Sequence, residues 1–181
     1  MVLLKYTAKV KKGIPVSVEE FRNFVQKVYD DKKGIKSLFP GKKIDFKLVN
    51  READANFDIE LVEEDDVKRL CNFDGLSCAD MRKGKIYLNY NNWRDGTDVF
   101  RSGIVDSVRN WKDWYRRYLV NHETLHVIFL AEHPPTSIRY KKNEPVSIML
   151  QQTVRLNGGI SNPWPRRDDI QYFRGSGIRD V

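Results

Sequence analysis

The sequence has no run of about 18 or more apolar residues, which is the length that a membrane-spanning helix requires. We therefore expect no transmembrane helix and no membrane partner. Residues 1–5 are too few, and too quickly followed by polar side chains, to form a signal peptide. The chain as written is expected inside a cell, and secretion is expected if a leader has been removed from it.

Charge of one sign is not concentrated anywhere along the chain. Lys and Arg number 32 against 25 Asp and Glu, which gives a net charge of +7 and an isoelectric point near 9.4. Such an excess attracts nucleic acid and other acidic partners non-specifically. Because the basic residues are spread along the sequence, we interpret most of them as solvated surface and keep nucleic acid as an alternative partner.

Internal repeats and cues for a second domain are absent as well. Hydrophobic residues make up 40% and aromatic residues 12% of the 181 residues, which excludes global disorder and is enough for one core. We expect a single domain over residues 1–181, with its core over about 1–165. Residues 166–181 are expected to be a basic and mobile C-terminal tail.

Only three histidines occur, and all of them fall within residues 122–133. His122, Glu123 and His126 form the H-E-x-x-H pattern, in which two histidines four residues apart on a helix reach one ion. Zinc is the expected ion, because a catalytic zinc takes three protein ligands and leaves a fourth position for water. Glu123 is then the general base, and the ion lowers the pKa of that water towards about 7. The expected reaction is hydrolysis of a peptide bond.

The sequence leaves the third zinc ligand open. His133 follows His126 by seven residues, roughly 10 Å along a continuous helix, whereas a Zn–N bond is about 2.0–2.1 Å long. Either the chain turns back after about Leu130, or His133 is not a ligand. Pro134 favours the turn, because it pushes the residue before it out of helical geometry. Glu132 is the competing ligand, since a carboxylate also binds zinc.

Apolar residues around the motif recur at steps of three and four, which is typical of an amphipathic helix. We expect this helix over about residues 110–131, with His122 and His126 on its buried stripe. Two buried imidazoles need partners, and a metal ion would satisfy both of them.

The other elements follow from hydrophobic periodicity. Alternation predicts strands over residues 3–10, 44–49, 57–62 and 85–93, and three- to four-residue spacing predicts helices over 17–31 and 63–71. Ser17 and Glu20 form a capping box at the start of the first helix. Residues 97–110 exceed the length of a simple connection, so we expect a loop that rims the cleft.

Three stretches of the sequence resemble one known family. They are residues 115–123 (Tyr-Arg-Arg-Tyr-Leu-Val-Asn-His-Glu), 149–153 (Met-Leu-Gln-Gln-Thr) and 162–165 (Asn-Pro-Trp-Pro). The family consists of metzincin-like zinc peptidases, mostly secreted actinobacterial proteins, and is catalogued as a domain of unknown function. The resemblance implies an α+β zincin fold, with a twisted mixed sheet, an N-terminal packing helix and a long active-site helix.

The resemblance also implies roles for individual residues. Met149 is similar to the methionine that forms a turn beneath the metal, and residues 85–93 are similar to an edge strand that pairs with extended substrate. Cys71 and Cys78 would form a disulfide that closes a small loop, whereas reduced core thiols are the default in a cytosolic protein. The chain departs from the family in three ways: its third histidine follows by seven residues rather than six, no glycine marks the turn, and a second cysteine pair is missing.

These observations lead to one expected function and two alternatives. We expect a zinc-dependent endopeptidase that acts on a protein or peptide substrate. Its metal ligands would be His122, His126 and His133. Glu123 would be the general base, and Met149 would lie beneath the metal. The alternatives are a non-catalytic binding protein on a peptidase scaffold and a nucleic-acid-associated protease. A fourth protein ligand would favour the binding protein, since structural zinc sites are closed.

Overall fold

The computed structural model describes residues 2–41 and 43–175. Within these residues the elements follow in the order β1 (Val2–Val10), α1 (Val18–Asp30), β2 (Ile44–Leu48), β3 (Phe57–Val62), α2 (Glu64–Cys71), β4 (Cys78–Asp80), β5 (Lys85–Asn89), α3 (Tyr90–Asp95), α4 (Asp98–Ser102) and α5 (Trp111–Phe129). Short 3-10 helices cover Ile35–Leu38, Glu52–Asp54 and Arg167–Tyr172. No helix in the described ranges is both long enough and apolar enough to cross a membrane.

The five strands form one mixed sheet in the order β2-β1-β3-β5-β4. The pairs β1–β2, β1–β3 and β3–β5 are parallel, and β4 runs antiparallel to β5. In β3 the residues that point to one face are buried, whereas Asp58 and Glu60 between them are partly exposed. This alternation arises because helices cover one face of the sheet. The strands predicted over residues 3–10, 44–49 and 57–62 are confirmed within one residue at each end.

Helix α1 begins where its capping residue predicts. Ser17 precedes the helix, and its side chain accepts a hydrogen bond from the backbone N–H of Glu20. The buried side of α1 packs against β1 and β2. There Tyr29 stacks on Phe46 at 4.3 Å between ring centroids and meets the edge of Tyr6 at 4.9 Å. Burial of each such ring contributes about 1.5–3 kcal/mol, so this aromatic cluster anchors the helix to the sheet.

The strand predicted over residues 85–93 differs from the structure in two ways. It ends at Asn89, whose side chain accepts hydrogen bonds from the backbone N–H groups of Asn91 and Asn92 and thereby starts α3. β5 also lies between β3 and β4, so the expectation that this segment is the edge strand is wrong. The strand at this edge of the sheet is β4, which contacts α5.

The loop predicted over residues 97–110 contains helix α4. The side chain of Thr97 accepts a hydrogen bond from the backbone N–H of Phe100 and caps this helix. Phe100 is fully buried and lies 5.0 Å from the ring of Tyr115 and 5.6 Å from the ring of Tyr118. This part of the segment is core, because its aromatic residue fills space beside α5.

The C-terminal segment packs on the domain as far as it is described. Asp169 and Tyr172 are buried, and the backbone N–H of Glu132 donates to the carbonyl of Tyr172 at 2.9 Å. Residues 166–174 of the expected tail therefore contact the domain, and their mobility stays a prediction. Residues 176–181, the rest of the expected tail, lie outside the described residues.

Helix α5 agrees with the helix predicted over about 110–131, but its burial is more complete than a single stripe. Every residue from 118 to 129 is buried. The helix contacts β4, β5, α1 and α3. A helix that is buried on all sides lies inside the core, so its polar side chains must find partners within the protein.

Candidate metal centre and cleft

The three histidines converge on one point. Their Nε2 atoms lie 3.2 Å apart between His122 and His126, 3.1 Å between His126 and His133, and 3.2 Å between His122 and His133. A tetrahedral ion with bonds of about 2.0–2.1 Å to nitrogen holds its ligand atoms about 3.3–3.4 Å apart. The three nitrogens therefore have the spacing of a metal site.

Backbone carbonyls set the orientation of two of these rings. The Nδ1 atom of His122 lies 2.7 Å from the carbonyl oxygen of Ile148, and that of His126 lies 2.5 Å from the carbonyl oxygen of Ala131. Carbonyl oxygens only accept, so each Nδ1 carries the proton and each Nε2 presents a lone pair. Such outer hydrogen bonds fix the tautomer that metal binding requires.

The donor chemistry of the histidine cluster suits a metal ion. Burial lowers the pKa of His122 well below its ordinary value and also lowers the pKa of His126. Partial desolvation in the cleft, together with the neighbouring His126, lowers the pKa of His133. Each ring is therefore held in its neutral form, and in that form its Nε2 atom can present a lone pair to a shared ion. A metal ion fits this donor set, because it accepts all three lone pairs at once.

The chain returns His133 to the site by a turn at Leu130. This residue has the left-handed backbone conformation (φ 48°, ψ 39°), and its N–H bonds to the carbonyl of Leu125. A left-handed conformation costs a residue other than glycine about 1–2 kcal/mol. Of the two alternatives that the sequence left open, the structure therefore shows the turn, which forms here without a glycine.

Glu132, the alternative third ligand, faces a different partner. Its carboxylate accepts a hydrogen bond from Nε of Arg174 at 2.9 Å, on the exposed surface beside the cleft. Among the described residues, the cluster that could hold a metal consists of His122, His126 and His133 alone. The structure thus joins the three histidines and leaves Glu132 in a surface ion pair.

Glu123 lies in the same cleft as the three histidines. Its side chain is only 5% exposed, and burial raises the pKa of its carboxyl group to about 8. Desolvation is the cause of this shift, because burial disfavours the charged form of the carboxyl group. A carboxyl group in this position can exchange a proton with a molecule held at the histidines.

Met149 belongs to a tight turn that lies next to His122. The backbone N–H of Leu150 donates to the carbonyl of Ser147 at 3.1 Å, and the side chain of Met149 is fully buried. Ile148, between them, provides the carbonyl that orients His122. Asp169 supports the same turn, because its carboxylate accepts from the hydroxyl of Ser147.

A network of buried amides joins the motifs that surround the site. Asn121 Nδ2 donates to the carbonyl of Pro163 at 2.9 Å. Gln152 Nε2 donates to the carbonyl of Asn162 at 2.8 Å, and Gln152 Oε1 accepts from the N–H of Asn162 at 2.8 Å. The side chain of Asn162 in turn donates to the carbonyl of Val146 at 2.9 Å. The Met-Leu-Gln-Gln-Thr and Asn-Pro-Trp-Pro stretches are therefore one structural unit under the histidines.

The cleft over the centre has a volume of about 270 Å³ and is closed on one side by β4 and the loop before it. The disulfide implied by the resemblance is present: Cys71 at the end of α2 bonds to Cys78 at the start of β4. Ser77 and Gln151 line the cleft beside Glu123, and the sequence analysis did not single them out. Gln151 could have been found from the sequence, because it belongs to the Met-Leu-Gln-Gln-Thr stretch.

Comparison with known proteins assigns the chain to a family. No curated protein matches the sequence. The solved structure of myroilysin is similar over 96% of this chain and 68% of that chain, with 14% sequence identity and a TM-score of 0.37. A likeness at this level does not establish a shared fold. Residues 2–164 match the family described as "Protein of unknown function (DUF3152)", and because this match spans most of the chain, the protein belongs to that family.

Proposed function

We propose that the protein is a zinc-dependent endopeptidase with a metzincin-like active site. The observation that carries the proposal is the triangle of three neutral imidazoles with a buried glutamate in the same cleft. His122, His126 and His133 would hold the ion. Zinc is favoured because three imidazole nitrogens at tetrahedral spacing form a donor set that it commonly uses in catalytic sites.

The number of ligands supports catalysis over a structural role. Structural zinc sites are closed by four protein ligands, whereas catalytic sites keep one position open. In the described part of the chain the cluster has three members, and the Glu132 carboxylate is engaged by Arg174. The cleft above the cluster is where a substrate would enter. The alternative of a binding protein with a closed structural metal therefore has less support.

Glu123 would move the proton in the reaction. Its carboxylate would take a proton from the attacking water and then deliver that proton to the amine that leaves. Glu123 follows His122 on α5, and its side chain is buried except where it lines the cleft. A zinc ion in the site would act as a Lewis acid and would lower the pKa of the attacking water.

The edge strand β4 would align the substrate. In the described part of the chain β4 pairs with a strand on one side only, so its other side would be open to an extended peptide. Residues 78–80 would therefore align the substrate, which is the role expected of residues 85–93 from the sequence. Ser77 and Gln151, which line the cleft next to Glu123, would contact the bound peptide.

The test is to load the protein with zinc, measure metal by elemental analysis, and follow cleavage of a peptide library by mass spectrometry. Wild type is expected to hold about one zinc per chain and to cleave. Glu123→Gln, which keeps the size of the side chain, is expected to hold the same zinc and to lose activity by about 10²-fold or more. Zinc-loaded wild type that cleaves nothing, or Glu123→Gln that cleaves like wild type, would contradict the proposed function.

A further inference from the structure

One wall of the cleft is apolar and exposed. Phe73, Leu76, Ala79 and Met81 line it, and all of them come from the short segment of residues 73–81. Phe73 is 50% exposed and Met81 is 42% exposed. Single exposed apolar residues are ordinary on a protein surface, but several that line one cleft indicate a binding surface.

The protein holds this wall in place before any ligand arrives. The Cys71–Cys78 disulfide closes the loop that precedes β4. Nδ2 of Asn92 donates a hydrogen bond to the carbonyl of Gly75 at 2.7 Å and ties the middle of the loop to α3. Because the wall does not have to be ordered on binding, apolar contacts to it keep most of their free energy.

The wall offers no charged partner. Among the described residues that line the cleft, the carboxylates are Glu123 and Glu132, and no Lys or Arg is present. Glu123 is buried beside the histidines, and Glu132 is paired with Arg174. A charged side chain pressed against the wall would lose its hydration without gaining a partner. An apolar side chain would gain by leaving water.

We propose that Phe73, Leu76, Ala79 and Met81 form a selectivity wall, which binds a bulky apolar side chain such as Phe, Leu or Met of an extended peptide next to the bond to be cleaved. This inference rests on the proposed peptidase function and names its substrate class. The wall adjoins the histidines and Glu123 in one cleft, so a side chain packed on it belongs to a residue close to the bond that is cleaved.

The test uses two short peptides that end in a hydroxamate, a group that binds catalytic zinc. They are identical except for the side chain next to the hydroxamate, which is leucine in one and glutamate in the other. Calorimetry on zinc-loaded protein gives the two dissociation constants without any need for turnover. Wild type is expected to bind the leucine probe at least about tenfold more tightly than the glutamate probe.

Variants locate the preference on the wall. Phe73→Ala and Met81→Ala are expected to reduce it, and Met81→Arg is expected to shift it towards the glutamate probe. All three substitutions are at exposed side chains, so they leave the core intact. Val154→Ala is the matched control, because Val154 is also 50% exposed but does not line the cleft.

The outcomes separate this inference from the proposed function. A leucine preference that Met81→Arg reverses and Val154→Ala retains supports the wall. Equal binding of both probes by wild type overturns it, even if the protein cleaves peptides. A leucine preference without cleavage of any library peptide supports the wall and overturns the peptidase. Failure of zinc-loaded wild type to bind either probe overturns both.

Discussion

Removal of metal is expected to lower the melting temperature of the wild-type protein. An ion present at about 100 times its dissociation constant stabilises the native state by about 2.7 kcal/mol. A chain of 181 residues has an unfolding entropy of about 0.4 kcal/mol per degree, at about 2.1 cal/mol/K for each residue. The expected loss of melting temperature on addition of a chelator is therefore about 7 °C.

Two variants assign this shift to the histidine cluster. His133→Ala removes one of the three proposed ligands from an exposed position, so the metal-free protein should fold as well as wild type. Its melting temperature is expected to change by less than about 2 °C on chelation, because the remaining pair of histidines binds metal much more weakly. Glu132→Ala is expected to keep the full shift, since the Glu132 carboxylate bonds to Arg174 rather than to the cluster.

The assay is differential scanning calorimetry of zinc-loaded protein with and without chelator, at one protein concentration and one pH. A wild-type melting temperature that does not respond to the chelator would refute the metal site. An equal response in wild type and His133→Ala would show that metal binds elsewhere. Loss of the response in Glu132→Ala would show that Glu132 is a ligand after all.

Three further predictions concern the support of the site. Burial raises the pKa of the Asp169 carboxyl group to about 6, so the stability that this group contributes is full below about pH 4 and is lost as pH rises through 6. In urea unfolding, wild type should lose on the order of 2–3 kcal/mol relative to Asp169→Asn between pH 4 and pH 7. Parallel pH profiles of the two proteins would exclude this effect. Replacing Cys71 and Cys78 with alanine opens an eight-residue loop and should lower the free energy of unfolding by about 2–2.5 kcal/mol. An unfolding midpoint equal to that of wild type would argue against the disulfide bond. Gln152→Ala leaves several buried polar groups unpaired and should lower the free energy of unfolding by about 2–4 kcal/mol. Its half-buried neighbour Gln151 should tolerate alanine with a change within about 0.5 kcal/mol. Equal losses of stability in the two variants would contradict the amide network.

The elements with strong local signals were predictable. Alternation located β1, β2 and β3, because buried and more exposed side chains alternate along much of each strand. The cap at Ser17 located the start of α1, since a hydroxyl can satisfy a free backbone N–H within the same turn. The errors fell at residues 89 and 97, where side-chain caps start the short helices α3 and α4. Such helices are too short to show periodicity.

The sequence by itself determined that His122 and His126 share one side of a helix with Glu123 between them, because residues four apart on a helix are neighbours. Only the tertiary structure decided how His133 returns, since Leu130 adopts the left-handed conformation without being a glycine and bonds its N–H to the carbonyl of Leu125. The same is true of β4 as the cleft edge and of Asp169 beneath the turn at Ser147. These contacts join segments that are distant along the chain, and no local pattern encodes which distant segments meet.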